Sequence, residues 1–523
     1  MTTSSSSHSD AATLSGVDVI VAGAGPVGLL LSCELALAGA RVLVLEREPG
    51  PESPLKAPPL GIRGLSVATG EALHRRGLLD ELLAAADASR AASGAVAQAA
   101  KAGAPRKAQA GHFAGIGIDA AKIDLSRRKY RLPNPASTNF AADMRSVESV
   151  LAARAVGLGV DIRRGLGVDA VHDDGDGIAV RAGGETFAAP WLVGADGGRS
   201  SVRRLAGFDF VGTEPEFTAY LAVVDIADPD KLLPGRNTTP AGFYFNQPGQ
   251  VAIADVDGGA FDRTETITRE HLQAVLRRVS GTEVTLRAVD LATSFTDRAR
   301  QASTYRRGRV LLAGDAAHIH SALGGQGLNV GLGDAMNLGW KLAATVRGSA
   351  PATLLDSYQD ERHPVGRWVL DWTRAQAALM RPGAAARALE GIVRDLAGTV
   401  DGATYLAEQL WGLALHYELG EAHPLAGCSA PDFEFDDGSR LADKLRGGLG
   451  VLVDFGISAP LRDLAAAWDD RIAYVGAGAS DTCGLAALLV RPDGFVAWAS
   501  DEVPDPAGLQ RAATRWFGAP TRS

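Results

Sequence analysis

Apolar runs and a helical stretch alternate at the start of the chain. The run 17–22 holds one charged residue, Asp18, and is followed by the glycine-rich sequence GAGPVG, by the stretch LLLSCELALAGA and by a second apolar run, RVLVLE. Nearly continuous apolar runs of this length are typical of strands in a parallel sheet that is buried on both faces. The order therefore predicts a strand, a tight turn, a helix and a second parallel strand, which indicates an α/β fold.

The turn between these elements carries Gly23, Gly25 and Gly28 in the spacing GxGxxG. Such glycines allow, in order, a tight turn, a close approach of the backbone to a pyrophosphate, and close contact between helix and strand. Glu46 ends the second strand about 20 residues further on, where an acidic side chain accepts the hydroxyls of a ribose. A purely structural glycine turn is the alternative, but the strand, the helix and the terminal acid together favour dinucleotide binding. Because a glutamate repels a 2′-phosphate, the pattern indicates FAD or NAD in this site, not NADP.

Two later segments repeat the order of strand, carboxylate, glycine turn and helix. In WLVGADGGRSSVRRLAG the strand ends at Asp196, which is either a ligand contact or a plain helix cap. In the other segment a buried strand is followed by Asp315, by GGQG and by a long helical stretch. Asp315 can accept hydrogen bonds from a ribityl chain, and the helix dipole favours negative charge on a reduced flavin. His318 and His320 have neither cysteine partners nor the HExxH spacing, so a metal site is not expected there.

The later part of the chain shows shorter strand patterns. Between 213 and 289, TAYLAVVDI and GFYFNQPGQVAIADV predict an antiparallel sheet with a hairpin turn at NQPGQ. Phe243 and Phe245 share one face of this sheet and Tyr244 lies on the other, so each is a candidate for the core and for a substrate contact. Nearer the C-terminus, GVLVDFG and LLVRPDGFVAWAS are two further strand patterns, with a turn between residues 491 and 494.

Composition excludes several classes of protein. With 523 residues the chain is too long for one ordinary core, so two or three domains are expected. The net charge of −9 argues against general nucleic-acid binding, and no apolar run is long enough to predict a membrane span. The three cysteines form no CxxC pair, which argues against a disulfide framework and a zinc–thiolate site. Residues 1–15 are polar and lack the features of a signal peptide, which predicts a disordered tail and a cytoplasmic protein. The alanine- and glycine-rich stretch 84–111 predicts a surface insertion.

Taken together, GAGPVG, GADGGRSSVRRLAG and GDAAHIHSALGGQGLNVGLGDAMNLGWKL resemble the three motifs of the class A flavoprotein monooxygenases. These aromatic hydroxylases have the p-hydroxybenzoate hydroxylase fold, and the resemblance is to the branch that tailors aromatic polyketides. It implies an enzyme that binds FAD, consumes NADPH without a separate domain for it, and uses molecular oxygen. The implied reaction is hydroxylation of a phenol or quinone through a flavin C4a-hydroperoxide. Baeyer–Villiger oxidation, epoxidation or oxidative rearrangement with the same flavin are alternatives, and a non-catalytic FAD-containing binding protein is another.

The resemblance also implies the fold class and its division into domains. A Rossmann-type FAD-binding domain takes residues 16–83, 140–210 and 290–400. An antiparallel-sheet domain that covers the substrate takes residues 84–139 and 211–289. A helical linker and a thioredoxin-like domain without the redox cysteines take residues 401–523, and a homodimer is one expected assembly.

The residues that match the family motifs form the expected FAD site. The first turn and Glu46 are assigned to the AMP half, Asp315 to the ribityl and pyrophosphate region, and the turn before the long helix to the isoalloxazine. Asp196 and Gly197 are expected to support both FAD binding and the transient encounter with NADPH. No catalytic side chain and no metal ligand is assigned. The full set of expected cofactor contacts is Gly23, Gly25, Pro26, Gly28, Glu46, Arg47, Arg63, Arg145, Asp196, Gly197, Asp315, Gly325, Gly327, Leu328 and Asn329.

Three positions depart from the family pattern. The family carries a proline beside the reactive edge of the flavin, where this chain has Ala322. The arginine that the family places before its second helix corresponds to either Lys56 or Arg63. A glutamine of the family is replaced in the stretch DMRSVESVL, where Arg145 is a candidate donor to the pyrophosphate. Because proline stiffens a turn, Ala322 raises the question of how firmly the flavin edge is held.

Overall fold

The computed structural model describes residues 16–92, 109–502 and 504–521. The predicted tail 1–15 and most of the insertion predicted at 84–111 lie outside the described residues. The largest sheet consists of β1 (Val19–Ala22), β2 (Val42–Glu46), β7 (Asp161–Arg164), β11 (Trp191–Gly194), β19 (Arg306–Arg307) and β20 (Val310–Leu312). In the order β19-β20-β11-β1-β2-β7, all neighbouring strands are parallel except β19 and β20. The parallel α/β sheet that the apolar runs predict is therefore present.

Helices cover this sheet and connect it to the rest of the chain. The described residues form α1 (Pro26–Leu37), α2 (Val67–Arg75), α3 (Leu79–Ala92), α4 (Met144–Gly157), α5 (Ser201–Leu205), α6 (Arg269–Ser280), α7 (Gly327–Val346), α8 (Ser357–Met380), α9 (Ala384–Ala397), α10 (Val400–Trp411), α11 (Leu441–Leu445), α12 (Ala459–Ala465) and α13 (Pro506–Phe517). The helices α1 and α7 pack closely, because Gly339 has no side chain. A Cβ at Gly339 would lie 2.3 Å from the Cβ of Glu34.

A second sheet is entirely antiparallel. It consists of β13 (Thr218–Ile226), β14 (Gly235–Thr239), β15 (Gly242–Gln247), β16 (Gln250–Asp255) and β17 (Leu286–Thr296), in the order β14-β15-β16-β13-β17. Gln247 pairs with Gln250, so β15 and β16 form the hairpin that NQPGQ predicts. The helix α6 packs on one face of this sheet around a core that includes Tyr220, Tyr244 and Leu272. A second apolar cluster on this sheet includes Phe217, Ala219 and Phe243 and packs against Leu323.

Smaller sheets complete the region that surrounds the large sheet. One is formed by β8 (Val168–Asp173), β9 (Ile178–Ala182) and β10 (Glu185–Ala189), and another by β12 (Phe210–Thr213), β18 (Ala299–Ala302) and β21 (His318–Ile319). Two strand pairs are β3 (Ile62–Leu65) with β6 (Phe140–Asp143) and β4 (Gln109–Phe113) with β5 (Ile116–Asp119).

The C-terminal part has its own mixed sheet. Its strands are β22 (Gly450–Asp454), β23 (Ile472–Gly476), β24 (Ala487–Val490) and β25 (Val496–Ser500), in the order β23-β22-β24-β25. Only β22 and β23 are parallel among these pairs. The N–H of Gly494 donates to the carbonyl of Arg491 at 2.9 Å, which closes the turn predicted between β24 and β25.

The start of the predicted insertion at 84–111 is not a surface loop. Residues 84–92 continue α3, and Leu82, Ala86 and Ser89 on one face of it are buried. Alanine has the highest intrinsic helix propensity, and its small side chain packs at helical spacing without a strong apolar signal in the sequence. No helix in the described ranges is both long and apolar enough to cross a membrane.

Candidate functional site

The first glycine turn lies at the carboxyl end of β1 and leads into α1. A Cβ at Gly23 would lie 2.5 Å from the carbonyl oxygen of Ala195, and a Cβ at Gly28 would lie 2.0 Å from that of Gly23. Gly23 also has a φ of +105°, which favours glycine. Gly25 differs, because no atom lies within 4 Å of a Cβ built there. The packing of the chain therefore requires Gly23 and Gly28, whereas Gly25 leaves open space before α1.

That open space suits a phosphate group. Gly25 caps α1 without a side-chain hydrogen bond, and Pro26 begins the helix without an N–H of its own. The free N–H groups of the first turn and the positive end of the helix dipole make this a favourable place for an anion. Glu46 lies beside the turn, where its carboxylate accepts from the N–H of Ala24 at 2.6 Å and from that of Glu48 at 2.8 Å. These backbone contacts hold Glu46 at the position expected for a ribose partner.

The second segment brings another carboxylate to the edge of the large sheet. One oxygen of Asp196 accepts from the N–H groups of Ser201 at 2.7 Å and Val202 at 3.1 Å. The other oxygen, Oδ1, is buried and has no hydrogen-bond partner in the described part of the chain. The N-cap of α5 is Ser200, whose hydroxyl accepts from the N–H of Arg203 at 2.9 Å, so Asp196 supports the first turn without being its N-cap. The free Oδ1 of Asp196 leaves one acceptor for a ligand. Gly197 follows with a φ of +78°.

Arg203 in the same segment was not singled out from the sequence. Its guanidinium donates to the carbonyl oxygens of Ala316 and Gly198, both at 2.9 Å. It thereby ties the second cofactor segment to the third. In the sequence, the only signal for this role is the pair of adjacent arginines that follows SSV.

The third segment places Asp315 at the start of α7. Asp315 lies in the short turn Gly314–Ala316 directly after β20 and is exposed. A Cβ at Gly327 would lie 3.1 Å from Nε2 of His320 and 3.8 Å from Oδ1 of Asp315. The missing side chain at Gly327 thus lets Asp315 and His320 approach the first turn of α7. Burial lowers the pKa of His320, so its ring is neutral near pH 7.

The side-chain amide of Asn329 forms hydrogen bonds with other residues of the protein. Its Oδ1 accepts from the N–H of Ser66 and from the hydroxyl of Thr69, both at 2.8 Å. Its amide nitrogen donates to the carbonyl oxygens of Gly64 and Gly325 at 3.0 Å. Asn329 therefore fastens the GGQG turn to β3 and α2, and only its backbone is left for an isoalloxazine. The neighbouring Leu328 packs against the core of the large sheet.

A buried ionic network supports this turn from behind. Asp334 accepts from Nε2 of His318 and from Nε of Arg362, both at 2.8 Å, and from the N–H of Gly314 at 3.0 Å. Burial opposes ionisation, yet the positive charge of Arg362 and the hydrogen bonds from Arg362 and His318 hold the pKa of Asp334 below its usual range. Arg362 also donates to the hydroxyl of Tyr417 at 2.9 Å. His318 is thus a structural residue that holds the Asp315 segment against α7.

The basic residues proposed for the pyrophosphate lie in different environments. Lys56 is paired with Glu148 at 2.6 Å, and the exposed Arg145 donates to the hydroxyl of Ser89 on α3 at 3.3 Å. Arg63 on β3 donates only to two backbone carbonyls, each at 2.9 Å. Within the described residues, Arg63 and Arg145 therefore both lack an acidic partner. Arg47 is exposed and pairs with Glu48 at 3.1 Å.

The three aromatic residues of β15 are divided between the two faces of the antiparallel sheet. Tyr244 is buried in the core shared with α6, which takes it out of reach of the flavin side. Phe243 lies on the other face, where its ring meets that of Phe217 at 6.3 Å between centroids. Phe245 is 37% exposed. Phe243 thus packs in an apolar cluster with Phe217 and Leu323, and its contact with a substrate stays a prediction.

Two cavities adjoin the turn 322–326. A cavity of about 1000 Å³ is lined by Gly198, Asp315 and Ala322 together with much of β17. A cavity of about 600 Å³ on the C-terminal side is lined by Gln326, Asn329 and residues after α10. The first cavity joins two of the three cofactor segments to the antiparallel sheet. This arrangement, with the space at Gly25 and the free Oδ1 of Asp196, fits a bound FAD.

Comparisons with known proteins agree with that arrangement. Two family models match: an FAD binding domain over residues 16–373 and the C-terminal region of aromatic-ring hydroxylases over residues 423–520. A protein named as a monooxygenase from Claviceps purpurea is 45% identical, over 96% of this chain and 98% of that one. The 12-dehydrotetracycline 5-monooxygenase/anhydrotetracycline 6-monooxygenase of Streptomyces rimosus is 39% identical, over 96% and 99%. The solved structure of the anhydrotetracycline hydroxylase OxyS from Streptomyces rimosus has a TM-score of 0.82 at 36% identity, covering 96% and 99%. The chain therefore belongs to the FAD-dependent aromatic-ring hydroxylases, the class A flavoprotein monooxygenases that its motifs resemble.

Proposed function

We propose that this FAD-dependent aromatic monooxygenase hydroxylates a polycyclic phenol or quinone of polyketide type, with NADPH as electron donor. The observation that carries the proposal is the cavity of about 1000 Å³ between the cofactor segments and β17. Small-molecule sites range from about 300 to 1,000 Å³, so this cavity offers room for an aromatic substrate next to the part of the flavin that would contact Asp315. The relatives named for anhydrotetracycline support the same substrate class.

The side chains of this protein position the reactants and exclude water. FAD, when bound, supplies electron transfer and the activation of oxygen. When FAD binds, the turn at Gly25 would hold its pyrophosphate, Glu46 a ribose and Asp315 the ribityl chain. Phe217 and Phe243 pack in one apolar cluster with Leu323 of the turn 322–326. An apolar cluster beside that turn would help to keep water from the reacting atoms.

The proposal is tested by turnover of the purified, FAD-loaded protein. NADPH oxidation is measured with and without quinizarin and anhydrotetracycline. The masses of the products are then determined by mass spectrometry after reaction under ¹⁸O₂. We expect faster NADPH oxidation with the aromatic compound and one labelled oxygen atom on an intact ring. A labelled lactone or epoxide would instead indicate the alternative oxidations. A flavin that neither NADPH nor oxygen alters would support the non-catalytic binding protein.

We also infer that the C-terminal sheet is a thioredoxin-like unit with a structural role. Its order β23-β22-β24-β25, with one parallel pair, supports this assignment. Cys428 and Cys483 are free thiols and form no CxxC motif, so dithiol chemistry is not proposed. The domain boundaries, the homodimer and the cytoplasmic location stay predictions.

A further inference from the structure

Three buried N–H donors on α8 have no acceptor within the described residues: Nε1 of Trp372, Nε of Arg374 and Nε2 of Gln376. Trp372 and Gln376 are four residues apart, and Arg374 lies between them in the sequence. Trp372 is 8% exposed and Gln376 is fully buried. Residues four apart on a helix lie on the same face, so the donors of Trp372 and Gln376 belong to one side of α8.

The amide of Gln376 has a defined orientation. Its Oε1 accepts from the N–H of Ala114 at 3.0 Å, so the other end of the amide is the free donor. A Cβ at Gly324 would lie 2.7 Å from this Nε2, and Gly324 has a φ of +85°. The free donor therefore lies directly against the turn between the two cavities.

The surroundings of the two donors are apolar and aromatic. The ring of Trp372 meets that of Phe113 edge to face at 4.6 Å and stacks on Trp368 at 5.4 Å. Leu323 and Phe243 pack against the same cluster. A fused aromatic ring matches these neighbours, and its carbonyl or hydroxyl oxygens supply the acceptors that the cluster lacks.

A buried N–H donor without an acceptor lowers the stability of the folded protein. A buried polar group without a partner loses its hydration, and folded proteins satisfy most of these groups. Replacing both with apolar residues of similar shape would remove that cost from the ligand-free protein. Two unpaired donors on one helix face, beside a turn assigned to the flavin, therefore point to an acceptor that arrives with a ligand.

We propose that Trp372 and Gln376 donate hydrogen bonds to a carbonyl or phenolic oxygen of the aromatic substrate and so select its orientation. This proposal rests on the proposed function and adds the residues that recognise the substrate. FAD is the competing acceptor, because Gly325, next to Gly324, is assigned to the isoalloxazine; a loss of FAD in the variants below would identify it. Since both donor atoms are buried, we expect the turn 322–326 to move when the substrate binds.

The proposal is tested by equilibrium binding to the oxidised, FAD-loaded protein, without NADPH. The probes are quinizarin, which carries carbonyl and hydroxyl oxygens, and anthracene, which has the same fused rings and no oxygen. The variants are Trp372→Phe, which removes one N–H and keeps an aromatic ring, and Gln376→Met. The control is Trp516→Phe on α13, because the N–H of Trp516 is also buried and unpaired but lies in the C-terminal core.

We expect Trp372→Phe and Gln376→Met each to raise the Kd of quinizarin about tenfold and to leave the Kd of anthracene unchanged. A tenfold change corresponds to about 1.4 kcal/mol, which is near the net contribution of one hydrogen bond. Trp516→Phe leaves both constants unchanged. Trp372→Phe lowers the thermal midpoint of the ligand-free protein, because the smaller ring leaves a cavity beside Phe113 and Trp368. Gln376→Met lowers that midpoint, because the N–H of Ala114 loses its acceptor.

Three results would overturn the proposal. They are unchanged quinizarin binding in both variants, equal weakening of anthracene, or a loss of FAD in place of a loss of quinizarin affinity. Failure of wild-type protein to bind quinizarin would also overturn it. Because no turnover is measured, a failure of the proposed hydroxylation is detected separately, by the NADPH and product assays.

Discussion

The glycine turn before α1 allows a sharp test, because two of its glycines serve different purposes. In Gly28→Ala the new methyl lies 2.0 Å from the carbonyl oxygen of Gly23. The backbone must move by about 1.4 Å to reach ordinary contact at 3.4 Å. Overpacking of this kind costs about 1–3 kcal/mol, so we expect Gly28→Ala to lower the stability of the ligand-free protein.

Gly25→Ala should behave in the opposite way. Gly25 has φ −75° and ψ 176°, which alanine also adopts, and the new methyl meets no protein atom. Replacing glycine at such a position stabilises a protein by about 0.4–1 kcal/mol. The methyl enters the space assigned to the pyrophosphate, however. A clash of about 1–3 kcal/mol there weakens FAD binding roughly 5- to 150-fold.

The assay compares both variants after removal of the flavin. FAD is titrated back and followed by its fluorescence, and the thermal midpoint of the flavin-free protein is measured in parallel. Gly157→Ala at the end of α4 is the control, because a Cβ there also meets no atom within 4 Å. If Gly25→Ala binds FAD as tightly as Gly157→Ala does, the turn before α1 does not hold the pyrophosphate. Unchanged stability of Gly28→Ala would refute the packing argument.

Three further predictions concern the buried charges and the flavin turn. Glu361→Gln should lower the thermal midpoint, because Lys341 and Arg491 lose a buried counter-charge worth about 3–5 kcal/mol. The control Arg127→Gln removes an exposed ion pair and should leave the midpoint unchanged. Burial alone would raise the pKa of Glu361, but Arg491 and Lys341 lower it from 4.5 to about 2. The resulting stability is present above pH 4.5 and lost as the pH falls towards 2, so acid titration of unfolding should be flatter in Glu361→Gln than in wild type. Ala322→Pro should reduce peroxide release per NADPH oxidised, because a stiffer turn holds the flavin edge in place; equal release would remove Ala322 from the mechanism.

The elements that the sequence predicts best are those with local causes. β1, the glycine turn, α1 and β2 follow from apolar runs and from backbone conformations that only neighbouring residues impose. The same holds for the hairpin at Gln247 and Gln250. The distinct purposes of Gly23, Gly25 and Gly28 also follow from the motif, and each proves to have the expected surroundings.

Contacts between distant segments could not be read from those patterns. Asp334 looks like one polar residue in a long helix, and its role appears only when His318 and Arg362 approach it from other segments. Gln376 meets Ala114 across 262 residues of sequence. Asn329 was assigned to the isoalloxazine, yet its side chain binds β3 and α2 because those elements fold back onto the turn. Periodicity carries no information about such partners.

These long-range contacts also give the C-terminal sheet a physical role. Arg491, in the turn between β24 and β25, is fully buried and pairs with Glu361 on α8 at 2.8 Å and with Asp493 in its own turn. The next residue of α8, Arg362, binds Asp334 behind the flavin turn, and the same helix carries Gln376 against Gly324. One helix therefore connects the C-terminal turn, the network that supports Asp315 and the two free donors. Because a buried arginine needs its carboxylate partners in place, docking of the C-terminal sheet and the position of α8 depend on each other. A C-terminal unit without redox cysteines thus still supports the cofactor segments, by fixing the helix that carries Arg362 and Gln376.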